Sequence, residues 1–182
     1  MICVGIDPGV TGGMAALAAD GQVVSLAPLP VLDGKVDPAG LAAWVRSLPR
    51  TPEDRLAVEL VGAMPGQGVC SMFSFGETTG IILGVLGALG GFPARPRPQT
   101  WQGDLGIALP AVKRAKGCPA TQAEKTARRA AVKASALAYV VSRIGSAPLV
   151  LPGRTKPHDG MVDAYCIADW LRLPDLPQDW LT

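Results

Sequence analysis

Ile2-Cys3-Val4-Gly5-Ile6-Asp7-Pro8-Gly9, followed by Gly12-Gly13-Met14-Ala15-Ala16-Leu17-Ala18-Ala19 and by Asp20-Gly21-Gln22-Val23-Val24-Ser25-Leu26, is the stretch that decides the fold. The first run is apolar, ends on a carboxylate and is stopped by Pro-Gly, which predicts a strand and a turn. Residues 12–19 read as a second strand. Asp20-Gly21 is a hairpin turn signal, and residues 22–26 supply a third strand. An antiparallel meander is the simplest arrangement of the three.

Moving outward, Asp37-Pro38 offers an N-cap and a proline at the first helical position. The helix they open runs through Leu41, Trp44, Val45 and Leu48. Residues 56–61 form a compact apolar run, hence a central strand, and 62–70 a glycine-rich loop. Ser71 or Ser74 caps the next expected helix, which ends near Leu89 and is expected to be buried. It contains Gly80, Gly84 and Gly87, each costing about 1 kcal/mol against alanine. Close packing on the sheet or on a second copy of the chain would explain them equally well. Residues 94–99 (Ala-Arg-Pro-Arg-Pro-Gln) read as an extended edge strand, where prolines are tolerated. Residues 103–120 read as a basic loop.

Thr121-Gln-Ala-Glu124 is a capping box. Its helix is expected to carry an apolar stripe of Ala127, Ala130, Ala134, Leu137, Val141 and Ile144, with Lys125, Arg129 and Lys133 on another face. A final helix spans about His158 to Leu173. The order predicts an α/β fold with a mixed β-sheet, a three-stranded antiparallel meander plus parallel strands, flanked by helices. No repeat or linker divides the 182 residues, so a single domain over 1–182 is expected.

Charge is distributed unevenly behind a formal net of +2. Residues 95–156 hold 12 basic and 2 acidic side chains, whereas 1–94 hold 4 and 8, and 157–182 hold 1 and 5. A basic block between acidic ends suits a polyanion-binding protein with a carboxylate site, although a solvated basic surface has the same composition. Cys3, Cys70, Cys118 and Cys166 form no C-x-x-C pair, which argues against zinc. The N-terminus does not read as a signal peptide, so a reduced, cytoplasmic setting in a bacterial or phage-infected cell is expected. Glu77 is the only charge between Leu60 and Ala94. Pro65, Pro93, the glycines and the missing basic flank speak against a membrane span there.

The carboxylates carry the chemistry. Asp7 closes the first strand, though aspartate before Pro-Gly is also an ordinary turn residue. Glu59 lies inside an apolar run, where an unpartnered buried charge costs several kcal/mol, unless its position faces solvent. Asp159 and Asp163 are four apart and share one helix face, roughly 6 Å from each other. A cation between them would remove their repulsion, while the helix dipole alone would account for Asp159. Two acids from strands and two from one helix turn suit hard divalent cations, Mg²⁺ or Mn²⁺, two of which can flank a scissile phosphate.

In order, Gly5-Ile-Asp-Pro-Gly-Val-Thr-Gly-Gly13, Val58-Glu-Leu-Val61, Met64-Pro-Gly-Gln-Gly68, Ser71-Met-Phe-Ser-Phe-Gly76, Pro98-Gln-Thr-Trp101 and Lys156-Pro-His-Asp-Gly-Met-Val-Asp-Ala164 span nearly the whole chain. Together they resemble the RuvC-like Holliday junction resolvases, particularly the bacteriophage branch. The resemblance implies a ribonuclease H-like fold and a homodimer cutting opposed strands of a four-way DNA junction. It also places Asp7, Glu59, Asp159 and Asp163 on the metal-binding acids. Many bacterial members space the last two site residues three apart, whereas these acids are four apart, which leaves His158 as a second candidate for binding metal or activating water. His158 also reads as a plain surface residue at a helix start. Lys156 is placed to reach the scissile phosphate.

Gln67, Met72 and Phe73 fall where the family contacts the junction, and an apolar side chain there could wedge between unstacked bases. Met72 and Phe73 read equally as core. Lys113, Arg114, Lys116, Lys125, Arg128 and Arg129 are candidates for phosphate contacts. A sugar kinase or actin-like ATPase also opens on a strand aspartate, but needs two such lobes. A nuclease acting on RNA/DNA hybrids, or a non-catalytic nucleic-acid-binding module of the same fold, stays open beside the resolvase.

Overall fold

A computed structural model describes residues 1–60, 62, 68–107, 109 and 120–176. The opening apolar run forms β1 (Ile2–Asp7), followed by β2 (Gly13–Ala18) and β3 (Val23–Pro28). A small hairpin, β4 (Val31–Leu32) and β5 (Lys35–Val36), precedes α1 (Pro38–Ser47), β6 (Arg55–Val58) and α2 (Val69–Ala88). Then come α3 (Pro98–Asp104), α4 (Gln122–Ile144), a 3-10 turn at Ala147–Leu149, and α5 (Asp159–Trp170). The main sheet runs β3-β2-β1-β6, with β1 antiparallel to β2 and parallel to β6. The expected meander and mixed sheet are both present.

Strand alternation divides the core into two layers. Ile2, Val4 and Ile6 of β1, with Leu56 and Val58 of β6, pack against Leu41 and Val45 of α1 and Ile82 and Leu86 of α2. Cys3 and Ala57 point the other way, into a layer built by α3, α4 and α5. By the same parity Asp7 and Glu59 belong to the α5 side. The register pairs Ile6 with Val58, and the Glu59 N–H donates to the Ile6 carbonyl at 3.1 Å, so the two acids end adjacent strands side by side.

Helix α5 lies directly on β1 and β2 because glycine removes the intervening side chains. A Cβ on Gly5 would stand 2.4 Å from the Ala164 carbonyl oxygen, and one on Gly160 2.4 Å from that of Thr11. This close approach brings the start of α5 beside Asp7. Residues 160–170 are otherwise buried apart from Asp163, which is partly buried.

Several expectations are corrected. Residues 94–99 do not make a full edge strand. Ala94 forms one parallel bridge with Ala57, the Leu60 N–H reaches the Pro96 carbonyl at 2.8 Å, and then α3 begins at Pro98. A proline blocks further pairing yet fits the first turn of a helix, so Pro96 ends the pairing and Pro98 opens the helix.

Helix α2 starts at Val69, ahead of Ser71 and Ser74, and Gly68 caps it without a side-chain bond. It is not a buried helix: only Thr78, Ile82 and Leu86 are buried, and Gly80, Gly84 and Gly87 look onto open space. Packing among the described residues therefore does not account for those glycines. Among the described residues α2 is also the one helix long and apolar enough to cross a membrane by length and composition.

The capping box at Thr121 forms as expected, with its side chain accepting from the Glu124 N–H. Of the expected stripe, Leu137, Val141 and Ile144 pack partly buried against the core, while the fully buried positions of α4 are their neighbours Ala136 and Val140, outside that stripe. Ala127, Ala130 and Ala134 are exposed, because residues 121–131 stand off the body of the protein. Most of the basic 103–120 loop lies outside the described residues.

Candidate active site

The cleft beside the start of α5 has a volume of about 730 Å³ and is lined by Asp7, Thr11, Lys133, Leu151, Arg154, Thr155, Lys156, Pro157, His158, Asp159, Gly160 and Asp163. Three of the four expected acids thus share one cleft. Glu59 is not among its lining residues. It sits next to Asp7 on the neighbouring strand, its carboxylate held by the Trp101 indole N–H at 3.0 Å.

Electrostatics tie all four acids together. Burial raises the Asp7 carboxyl well above the usual range, and the nearby charges of Asp163, Glu59 and Asp159 raise it further. Burial also pushes Glu59 up to about 7, against the lowering effect of Trp101 and with a further rise from Asp163. Asp163 is pushed up to about 6 by burial, opposed by Lys133 and reinforced by Asp159. Perturbations of this kind mark a site that concentrates like charge in a poorly solvated place. Asp169, two turns further along α5, shows the contrasting structural case: Tyr139, Arg143 and Arg172 surround and neutralise it.

Lys133 is not singled out by the sequence as a site residue, yet its ammonium meets Asp159 at 2.7 Å and offsets the charge of Asp7 and Asp163. Its four-residue spacing from Arg129 gives it a helix face, but only the packing of α4 on α5 shows that this face reaches the acids. Arg154 and Lys156 add two more cations to the rim. Lys156 thus lines the same cleft as Asp159.

His158 has a structural task. Its Nδ1 accepts from the Met161 N–H at 3.2 Å, capping α5, and its own N–H donates to the Leu149 carbonyl. That cap needs the Nδ1 lone pair, which leaves Nε2 as the ring's remaining polar atom.

The other candidates are spread over the surface. Met72 is partly buried, and Phe73, 73% exposed, is not core. Both lie in the first turns of α2. Lys125, Arg128 and Arg129 project from the exposed half of α4, and Arg128 donates to the Leu109 carbonyl. Gln67, Lys113, Arg114 and Lys116 lie outside the described residues.

Among the described residues no three His, Cys, Asp or Glu side chains form a group that could hold a metal ion as they stand. The chemistry of the donor set nevertheless fits a hard divalent cation: Asp7, Glu59, Asp159 and Asp163 are all carboxylates, and their mutual repulsion is relieved only partly by Lys133.

Among solved structures, RuvC from Thermus thermophilus in complex with a Holliday junction substrate matches over 93% of this chain and 92% of that one, at TM-score 0.59 and 16% identity. The chain has the fold of RuvC. A second Thermus thermophilus RuvC structure matches over the same shares at TM-score 0.54 and 18% identity. No protein-family profile and no curated protein sequence matches the chain.

Proposed function

We propose that this chain is a RuvC-like Holliday junction resolvase, a Mg²⁺- or Mn²⁺-dependent endodeoxyribonuclease that acts as a homodimer and hydrolyses one phosphodiester in each of two opposed strands. The observation that carries this reading is a cleft with an acidic floor, Asp7, Asp159 and Asp163, and a basic rim, Lys133, Arg154 and Lys156. A phosphodiester needs cations to approach and concentrated carboxylates to hold the metal that hydrolyses it. The junction bound in one of the matching RuvC structures supports the choice of substrate. The bacteriophage branch and a cytoplasmic setting rest on the sequence motifs and composition.

Asp7, Glu59, Asp159 and Asp163 would hold two ions, which when bound supply a more acidic attacking water and charge stabilisation at the leaving oxygen. The chain's own residues do the rest. β1 and β6 fix Asp7 and Glu59 on rigid backbone, while α5 carries Asp163 against them. Lys133, Arg154 and Lys156 draw the phosphate backbone to the cleft mouth. Lys125, Arg128 and Arg129 extend that positive surface along α4, positioning the duplex arms without reading their sequence. Phe73, exposed at the start of α2, is available to stack on or part bases at the crossover.

Paired cuts need two active sites. The open face of α2, with Phe73, Gly76, Gly80, Gly84 and Gly87 in one line, is suited to receive the same helix of a second chain. Small residues let two backbones approach closely, which a monomer does not require. A membrane span by this helix conflicts with its packing, because Thr78, Ile82 and Leu86 are buried in the body of the protein and Glu77 pairs with Lys35 at 2.7 Å. Gly84→Arg should therefore leave a folded monomer in sedimentation analysis and uncouple the two cuts. An unchanged dimer would place the interface elsewhere.

Incubation with a synthetic four-way junction and a linear duplex of the same sequence tests the reading as a whole. Cleavage of the junction at least about tenfold faster, dependent on Mg²⁺ or Mn²⁺, is expected, corresponding to roughly 1.4 kcal/mol of discrimination. Equal cutting of both, preferential cutting of an RNA/DNA hybrid, or binding with no cutting in either metal would favour the other nuclease or the non-catalytic module.

A further inference from the structure

Glu59 is the acid of the four that does not line the cleft, and its surroundings are unusually ordered. Its N–H donates to Ile6, and Arg95 grips the same stretch of backbone, donating from Nε to the Val58 carbonyl at 3.1 Å and from Nη2 to that of Glu59 at 3.4 Å. Its side chain accepts from Trp101, which is 1% exposed. Helix α3, which carries Trp101, is itself anchored at its other end, where Asp104 accepts from the Trp170 indole of α5 at 2.8 Å. A short helix is thus braced between the α5 layer and one carboxylate of the site.

We infer that Trp101 is a positioning residue, aiming the Glu59 carboxylate toward Asp7 and Asp163 so that Glu59 can share a divalent cation with them. This rests on the proposed nuclease function. An indole offers one donor and no acceptor, so it fixes one oxygen of the carboxylate and leaves the other available. Once Glu59 is ionised, as a bound cation would require, the bond is charge-assisted, and its partial burial makes it directional. Trp44 shows that a tryptophan N–H in this protein can be satisfied elsewhere at no cost to an acid, since it donates to the Ser25 hydroxyl at 2.9 Å. Outer hydrogen bonds that orient ligands typically change metal affinity by about 10- to 100-fold.

Calorimetric titration with Mn²⁺ of the full-length wild type, Trp101→Phe, Glu59→Gln and the double variant tests this. Trp101→Phe should weaken binding about 10- to 100-fold. In the Glu59→Gln background the same change should alter affinity less than about twofold, because the carboxylate it acts through is gone. Wild-type affinity in Trp101→Phe, or an equal loss with and without Glu59, would overturn the inference and reduce Trp101 to core packing. If Trp101→Phe does not fold, Mg²⁺ titration of the wild type followed by the indole N–H resonances decides. The Trp101 signal should shift to saturation while that of Trp44 stays in place, and an unmoved Trp101 signal overturns the inference. A wild type that cuts junctions and binds Mn²⁺ beside an unaffected Trp101→Phe would sink this inference alone. A wild type that binds no Mn²⁺ would sink the nuclease reading with it.

Discussion

Asp7→Asn should reduce junction cleavage by at least about 10³-fold, while the variant still binds the junction at least as tightly as the wild type. Metal ions contribute several kcal/mol of charge stabilisation in phosphoryl hydrolysis, and each 1.36 kcal/mol is tenfold in rate. Asp7 stands between the strand pair and α5, coupled to Asp163, Glu59 and Asp159 together. Its loss should therefore disturb every ion the site holds. On the proposed reading the phosphate contacts come from Lys133, Arg154, Lys156 and the α4 cations, so binding should survive the loss of Asp7. Removal of one negative charge from the cleft floor works in the same direction. Single-turnover cleavage with Mg²⁺ and Mn²⁺, alongside gel-shift titration in Ca²⁺, separates the two effects. Cleavage within tenfold of wild type would remove Asp7 from the catalytic centre, and joint loss of binding and cleavage would assign it a folding role.

What the sequence discloses of this site follows from what is local. Asp7 is legible because Ile2–Asp7 is one strand and the Pro8-Gly9 turn fixes its end. The caps at Asp37 and Thr121 are legible for the same reason: cap and first turn are neighbours in the chain, and both form as read. The β4–β5 hairpin escapes such a reading although Asp33-Gly34 is a hairpin signal, with both residues at positive φ. Its strands are two residues each, too short to show alternation. Helix α3 escapes it because Pro96 and Pro98 look alike in sequence, and only the hydrogen bonding around each tells a blocked strand from a helix start. The exposed face of α2 inverts an expectation, since a run of apolar and small residues has the same composition whether it packs on its own sheet or waits for another surface. Lys133 and Trp101 are not assignable to the acids from sequence for a further reason. Each reaches its carboxylate across packed elements, 26 and 42 residues away in the chain, and no spacing rule spans such distances. The acids' common side is recoverable: Ile2, Val4 and Ile6 against Leu56 and Val58 already place Asp7 and Glu59 on the face opposite to those residues.

The crowding of acids proposed to serve catalysis should weaken the metal-free fold, and Glu59→Gln should reveal by how much. The Glu59 carboxyl is raised from 4.5 to about 7, chiefly by burial, with Asp163 adding to it. A carboxyl with a raised folded-state pKa keeps its proton in the folded chain at pH values where the unfolded chain has released it. Stability therefore falls as pH rises between about 4.5 and 7 and stays lower above that window. A tenfold difference in proton affinity between the folded and unfolded chain corresponds to about 1.4 kcal/mol, so at pH 8 without metal the substitution should stabilise the protein by on the order of 3 kcal/mol. At pH 4 the two proteins should differ little, because glutamate is then largely protonated in both states. Glutamine keeps an oxygen to accept from Trp101, so the hydrogen bond is retained and the charge alone is removed. Saturating Mg²⁺ should narrow the gap or reverse it, since an ion bound by the folded state stabilises the wild type more than the variant. Urea unfolding at pH 4 and pH 8, with and without Mg²⁺, measures all four corners. A variant less stable than wild type at pH 8 without metal would mean that the Glu59 charge is already neutralised in the folded chain. The residue would then belong with Asp169, as a partner in a structural ion cluster rather than a ligand held ready for a cation.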